Sequence, residues 1–452
     1  MMLVVLWHGA SLYILEATLL WGSSSGEGAE AMNNTATTTG ASPWWERAEH
    51  HQLHHHPGWT PFVSDMVIRY WLWTEKVAVP GFCFLSGYFS KNFLAKQHLL
   101  RDSCLDQGES DSERLLQEIR RDQQKDQLRW KKTISTLLVG PLLWQVLAWV
   151  ISCLAKSLYE SQLDVTLHAK LDLWDYLGTW YLFSLLMWRI WTTVFLSRIR
   201  QDKRWLPLLI SMVLSLVSVH TNRGGPQEMR MRLFYFFPYY VGGLYCDETV
   251  WHRLIIWFRR FFICRRKADG LSYQVSLNEL DRAGRTIGCC GIILTLWICQ
   301  VIPRDHLAWI YSIDNYYWLP HLIFGLQYIG AGTAVAAIIL VVKTIPFPIL
   351  PFGHSNSTLA IYEVHWPFAN FIAWGNLPYT GITVTWLSLV QYCFSRLPPL
   401  PAVIAVHLVC YGICVVLGNR ILWEKTVRHV CDPEWASNWF LTENKIGQLL
   451  PL

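Results

Sequence analysis

Long apolar runs separated by polar, often basic stretches dominate this chain. A helix needs roughly 17–25 residues to cross a hydrocarbon core, and ten of the runs approach that length. Short amphipathic stripes are scarce, so the pattern predicts an all-α fold, a polytopic membrane helical bundle with about ten transmembrane helices. The predicted spans are residues 1–21, 76–94, 133–155, 179–197, 205–220, 232–247, 286–303, 322–343, 357–375 and 400–419.

Basic residues gather in alternate loops between these spans, which sets the predicted orientation. Loops 95–132 and 248–285 are rich in Arg and Lys and are predicted to be cytoplasmic, as are both termini and the tail 421–452. Segment 22–75 is then lumenal or extracellular, where Asn33 begins a glycosylation acceptor pattern; the pattern at Asn356 falls on the cytoplasmic side. The predicted location is the plasma membrane or a membrane of the secretory pathway.

Composition agrees with a membrane protein and excludes some other classes. Hydrophobic residues make up 52% of the chain and charged residues only 16%, which argues against soluble domains. The net charge of +5 is modest, so nucleic acid is not an expected partner. Most of the 12 cysteines lie in apolar runs or basic loops, so no disulfide framework is predicted.

Ionisable side chains inside predicted spans are the candidates for function, because burying a charge in a bilayer is costly. His8 interrupts the first span, where a structural, hydrogen-bonded histidine is the competing explanation. The first span could also be a secretory signal, although no basic segment precedes it and Glu16 breaks its apolar run. In the ninth span, Glu363 and His365 introduce further polar groups.

Two more clusters lie in the second and fourth spans. In the second, the Pro80–Gly81 pair loosens the helix while Ser86 and Gly87 permit close helix approach, so a tight helix crossing explains the cluster as well as a site does. In the fourth, Arg189 lies well inside the span and is predicted to pair with a carboxylate or to contact an anionic or polar substrate.

A histidine-rich stretch lies between the first two spans and includes His50, His51, His54, His55 and His56. Imidazoles at this density can bind zinc or copper. No regular ligand spacing or partner cysteine accompanies them, so a low-complexity insert is the favoured interpretation and no metal site is predicted.

The order of these clusters resembles acyltransferase family 3, in particular its fucose O-acetylase-like branch. The matching segments are Leu-Val-Val-Leu-Trp-His in the first span, Phe-Leu-Ser-Gly-Tyr-Phe in the second, Trp-Tyr-Leu with an Arg in the fourth, Phe-Phe-Pro-Tyr-Tyr-Val-Gly-Gly at 236–243, and Ile-Tyr-Glu-Val-His-Trp-Pro in the ninth. The resemblance covers nearly the whole chain and implies one transmembrane domain over residues 1–420.

The resemblance further implies transfer of an acyl group, usually acetyl, from acyl-coenzyme A to a hydroxyl of a carbohydrate or related acceptor. Acyl-coenzyme A would be a co-substrate, and no cofactor would be bound permanently. His8 matches the family's essential histidine and would be the catalytic general base. Substrate-binding roles would fall to Arg189, Ser86, Tyr88, His365 and Glu363. Coenzyme A phosphates would be held by Lys91, Arg198 and Arg200. The role of basic residues in orienting a chain in the membrane explains these three charges equally well.

The chain departs from the family at two points. Members usually carry an Arg roughly three helical turns before the histidine, whereas here the chain begins seven residues upstream of His8, and we expect a truncated start. Glu363 also stands where the family usually has an apolar residue. Two alternatives therefore stay open: a transporter or permease with a polar translocation route, and a catalytically inactive relative of the family.

Overall fold

The computed structural model describes residues 73, 77–93, 112–163, 180–199, 203, 205–221, 233–246, 248–263, 277–301 and 319–344, together with single residues between 401 and 435. The described part of the chain is almost entirely helical and contains no strand, in agreement with the predicted all-α fold. No helix among the described residues combines the length and the hydropathy needed to cross a membrane.

The helices are numbered here in chain order. The first, α1, covers residues 77–89 and leads through a turn at Ser90 into a short 3-10 helix, Lys91–Phe93. The others are α2 Ser112–Ile134, α3 Gly140–Leu163, α4 Trp180–Val194, α5 Trp205–Thr221, α6 Phe237–Tyr245, α7 Glu248–Ile263, α8 Leu277–Val301 and α9 Leu319–Thr344.

Helices α2 and α3 form one continuous rod joined by a π-helical turn, Ser135–Val139. Pro141 explains the turn, because it has no N–H to offer the carbonyl four residues earlier and its ring clashes with that carbonyl. The Gly140 N–H bonds instead to the carbonyl of Ser135, five residues back. Most of α2 therefore lies in the predicted basic loop 95–132, which is helical from Ser112 onward.

An aromatic core joins α1, α2, α4 and α6. Trp188 lies at its centre with no exposed surface, and its indole Nε1 donates a 2.9 Å hydrogen bond to the Leu233 carbonyl. Its ring lies 5.3 Å from that of Tyr240 and 6.3 Å from that of Phe237. This core holds α4 firmly against α6.

A second packing unit is built by α8 and α9, which run antiparallel. Gly288 faces Ala337 and Val341, and the later Gly291 faces Ala337 alone. A Cβ on Gly288 would lie 2.7 Å from the Ala337 carbonyl oxygen, so the two backbones touch directly. Small residues of this kind allow helices to approach closely without a thick apolar layer between them.

Helix α5 has an unusual distribution of polarity. Its hydroxyl-bearing residues Ser211 and Ser215 are fully buried, whereas Leu209, Val213 and Val217 are 49%, 51% and 51% exposed. The Ser215 hydroxyl donates a 3.3 Å hydrogen bond to the carbonyl of Tyr235 and so connects α5 to the segment that precedes α6. The polar face is therefore inside and the apolar face outside.

The helix positions agree with the apolar runs except in two places. The sixth predicted span, 232–247, is broken at Phe236. The Phe236 carbonyl accepts the N–H groups of both Tyr239 and Tyr240, and Pro238 lies in the first turn of the new helix α6. Helix α7 occupies part of the predicted basic loop 248–285, because its Trp251 and Ile255 pack together in a small core. The predicted first and ninth spans lie outside the described residues.

Candidate functional site

Two serines, Ser86 on α1 and Ser90 in the turn that ends it, face α4 and form the centre of the candidate site. Ser86 and Ser90 are four residues apart and so share one face of the helix. The Ser86 hydroxyl is hydrogen-bonded to the Tyr181 hydroxyl, and Ser90 Oγ accepts a 3.2 Å hydrogen bond from Arg189 Nε. The ring of Phe82 packs 4.7 Å from that of Tyr181. Contacts advance in the same order along both helices, so α1 and α4 run parallel.

The Arg189 guanidinium lies between a hydroxyl and an aromatic ring. Its carbon Cζ is 4.9 Å from the centre of the Phe93 ring, a cation–π geometry, while Nε is held by the fully buried Ser90. Thr193 binds the carbonyl of Phe93 at 3.5 Å and so keeps that residue beside α4. Arg189 retains part of its accessible surface and is not sealed into the core.

Helix α6 contributes a third hydroxyl to this cluster. Tyr240 has no exposed surface, and its hydroxyl lies 3.3 Å from that of Thr192 and is also hydrogen-bonded to Ser90. Ser90 thus connects Arg189 of α4 with Tyr240 of α6. We call Ser86, Ser90, Tyr181, Arg189 and Tyr240 the hydroxyl–arginine cluster.

Close contact between α1 and α6 makes this arrangement possible. A Cβ on Gly87 would lie 1.9 Å from the Tyr240 carbonyl oxygen, and a Cβ on Gly243 would lie 1.8 Å from the Phe84 carbonyl oxygen. Each glycine therefore lies directly on the backbone of the opposite helix. A side chain at either position would push Tyr240 away from Ser90.

Lys91 lies at the edge of the site, at the start of the 3-10 helix that follows α1. Its ammonium Nζ lies 4.1 Å from the centre of the Tyr88 ring and donates a hydrogen bond to the carbonyl of Cys246, the residue that ends α6. A cation at this end of a helix is favourable, because the carbonyl groups there carry partial negative charge. Lys91 therefore links the end of α1 to the end of α6.

The structure brings together four of the residues that the sequence predicted: Ser86, Tyr88, Lys91 and Arg189 all lie around the junction of α1, α4 and α6. Arg198 is exposed on the short helix Leu196–Arg198, and no described hydrogen bond or ion pair joins its side chain to the cluster. The predicted residues His8, Arg200, Glu363 and His365 lie outside the described residues.

The sequence prediction missed three members of the cluster: Ser90, Tyr181 and Tyr240. Ser90 could have been found, because it lies one helical turn after Ser86 on the same face. Tyr181 and Tyr240 occur in the segments that carry the family resemblance, but nothing in a single sequence indicates that their hydroxyls meet those of α1. Such contacts depend on how three helices distant in sequence cross.

The cluster can bind and orient an oxygen-rich molecule but holds no general base. Ser and Tyr hydroxyls both donate and accept hydrogen bonds, Arg and Lys only donate, and none of these side chains ordinarily takes up a proton near neutral pH. Within the described part of the chain, no group of three His, Cys, Asp or Glu side chains could hold a metal ion. The base for any proton transfer would have to come from another segment.

Comparisons of the chain with protein-family models, curated proteins and solved structures gave no match.

Proposed function

We propose that this chain is a membrane-bound acyltransferase that moves an acyl group, most simply acetyl, from acyl-coenzyme A to a hydroxyl of a carbohydrate or related acceptor. The observation that supports the proposal is the convergence of three separate motif segments. The second-span segment supplies Ser86, the fourth supplies Tyr181 and Arg189, and the segment 236–243 supplies Tyr240. Residues from three segments that are distant in sequence thus form one polar cluster.

In the proposed reaction His8 is the general base. The acceptor oxygen attacks the thioester carbonyl and the proton of the acceptor hydroxyl passes to His8. The carbon–sulfur bond then breaks, and His8 returns the proton to the sulfur, so that coenzyme A leaves as its thiol. The new bond is the ester bond between the acyl carbon and the acceptor oxygen. The hydroxyl–arginine cluster supplies donors that orient substrate, and general-base assistance is typically worth about 10²- to 10⁴-fold in rate.

A membrane setting is supported by the polarity of α5. Its exposed apolar side chains are Leu208, Leu209, Ile210, Met212, Val213, Leu214 and Val217, each 37–51% exposed. Leaving them in water forgoes on the order of 5 kcal/mol of burial energy, comparable to the whole stability of many domains. Lipid around α5 removes this cost, while Ser211 and Ser215 find hydrogen-bond partners inside the protein.

Alkaline carbonate extraction and glycosylation mapping test the membrane part of the proposal. The chain should remain in the pellet when expressed in a glycosylating host. Asn33→Gln should abolish a glycosidase-sensitive mobility shift that Asn356→Gln leaves intact. Release of the chain into the carbonate supernatant, or a glycan at Asn356, would contradict the proposed orientation.

Transfer itself is tested with radiolabelled acetyl-coenzyme A in membranes that contain the chain. Label should appear on a glycan and free thiol should be released, and His8→Ala should abolish both at equal protein level. His54→Ala in the histidine-rich stretch is the matched control and should keep full activity. Absence of thiol release with every donor, combined with flux of a solute across vesicles, would favour a transporter instead.

A further inference from the structure

Arg189 carries a charge that no described side chain balances. Its Nε is bonded to Ser90 and its guanidinium lies over Phe93, and its side chain makes no other hydrogen bond in the described part of the chain. The ion pairs of the described residues, Lys125–Asp122 and Arg129–Asp126, both lie on α2. A cation in such surroundings needs an anion, because burying an unpaired charge is costly.

The terminal nitrogens of Arg189 are available to that anion. A guanidinium has five N–H donors, of which the Nε donor is used by Ser90, so the four terminal donors remain. The side chain keeps accessible surface, and none of its nitrogens is both buried and without a partner. Because Nε is held by Ser90 and the guanidinium lies over the Phe93 ring, the orientation of the terminal fork is restricted before any ligand arrives.

The charge balance of the site favours a monoanion. Two other cations near the cluster are already engaged. Lys91 donates to the Cys246 carbonyl and lies over the Tyr88 ring, and Arg129, whose Cζ is 5.9 Å from the centre of the Phe93 ring, pairs with Asp126. One guanidinium compensates one negative charge, and its two parallel N–H groups match the two oxygens of a carboxylate. A phosphate monoester carries nearly two charges and would remain undercompensated here.

The neighbouring groups fit a carboxylate that is attached to a sugar. Ser86, one helical turn before Ser90, is hydrogen-bonded to Tyr181 and keeps accessible surface, as Tyr88 does. The hydroxyls of Ser86 and Tyr88 can donate to and accept from the hydroxyls of a sugar ring, whereas those of Tyr181 and Tyr240 are buried and hold the cluster together. We infer that Arg189 binds the carboxylate of the acceptor, and that the acceptor is therefore an acidic sugar such as a uronic acid. This inference rests on the proposed acyltransferase function and names its substrate class.

Direct binding tests the inference without relying on activity. The full-length protein is purified in detergent, and thermal stabilisation and equilibrium binding are measured with glucuronate, with glucose as its neutral counterpart, and with coenzyme A and inorganic phosphate. Glucuronate should bind at least roughly tenfold more tightly than glucose, since a hydrogen bond to a charged group is worth that much. Arg189→Gln should remove the preference, and Arg120→Gln, an exposed arginine on α2, should not.

Two further variants keep the test decisive if Arg189→Gln is poorly folded. Arg189→Lys keeps the charge but lacks the fork, and Ser90→Ala frees Nε; each should lower the ratio of glucuronate affinity to glucose affinity. Equal binding of glucuronate and glucose by the wild type would overturn the inference. So would a loss of coenzyme A or phosphate binding in Arg189→Lys with the glucuronate preference intact, which would place the donor at Arg189.

Transfer assays separate this inference from the proposed function. If acetyl is transferred and Arg189→Lys lowers kcat/KM equally for glucuronate-bearing and neutral acceptors, the function stands and the acceptor class is wrong. If glucuronate binding depends on Arg189 but no acyl transfer occurs with any donor, the carboxylate site stands and the acyltransferase proposal fails.

Discussion

The crossing of α1 and α6 depends on two glycines, and replacing them by alanine gives the sharpest test of the packing that builds the cluster. At Gly87 an added Cβ would lie 1.9 Å from the Tyr240 carbonyl oxygen, whereas real Cβ contacts essentially never fall below 3.0 Å. The helices would have to separate by about 1.1 Å, the difference between those two distances. Backbone atoms cannot rotate away as a flexible side chain can.

The cost of this separation can be estimated from general packing energetics. A gap of that size forfeits a quarter to a half of the attraction at each contact, and overpacking of this kind costs about 1–3 kcal/mol. At about 2.1 cal/mol/K of unfolding entropy per residue, each kcal/mol lowers the Tm of a 452-residue chain by about 1 °C. We therefore expect Gly87→Ala and Gly243→Ala each to lower the apparent Tm by about 1–3 °C, measured by thermal unfolding in a mild detergent.

The double variant Gly87→Ala/Gly243→Ala adds a second expectation. One outward shift of α6 relieves both clashes, so the double variant should lose clearly less than the sum of the single losses. The matched control is Gly332→Ala in α9, where an added Cβ meets nothing within 4 Å. It should leave the Tm unchanged or raise it, because alanine is the better helix former by up to about 1 kcal/mol. If Gly87→Ala has the same Tm as this control, the inference that α1 and α6 cross in direct backbone contact is wrong.

Other substitutions test single contacts of the core and the site. Trp188→Phe should destabilise the protein by about 1–3 kcal/mol in chemical unfolding, because the Leu233 carbonyl loses its donor; an unchanged unfolding midpoint would refute that bond. Ser184→Ala should stabilise by about 1 kcal/mol, since the Ser184 hydroxyl is buried with no partner in the described structure; a loss of stability would reveal a partner. Lys91→Met should lower the Tm, because the Cys246 carbonyl loses its hydrogen-bond donor. If Lys91 also binds the acyl donor, the same variant should raise the Kd for coenzyme A.

Much of the helix layout could be predicted from hydropathy alone. The apolar runs at 133–155, 179–197, 205–220, 286–303 and 322–343 lie within or closely overlap α3, α4, α5, α8 and α9. Helix α7 was missed because its apolar residues are diluted by arginines, so only their spacing of three and four residues marks it. The break at Phe236 was missed because averaging over a long window hides a single proline.

The candidate site divides in the same way. Ser86 and Arg189 were noted in the sequence because a polar or charged residue in an apolar run is conspicuous without any structure, whereas Tyr88 and Lys91 were chosen through the family resemblance. Which groups these residues meet was decided by tertiary structure. Ser90 joins Arg189 to Tyr240 only because Gly87 and Gly243 let α1 and α6 touch, and because α1 and α4 run parallel.

The physical reason is the range over which each property acts. Hydropathy and helix propensity are local, so the amino-acid sequence by itself determines that these segments are helical and which of them carry polar groups. A hydrogen bond such as that between Ser86 and Tyr181 joins residues 95 positions apart, and it forms only when two helix axes lie at the right distance and rotation. The tertiary structure alone decided that the scattered hydroxyls and Arg189 form one cluster.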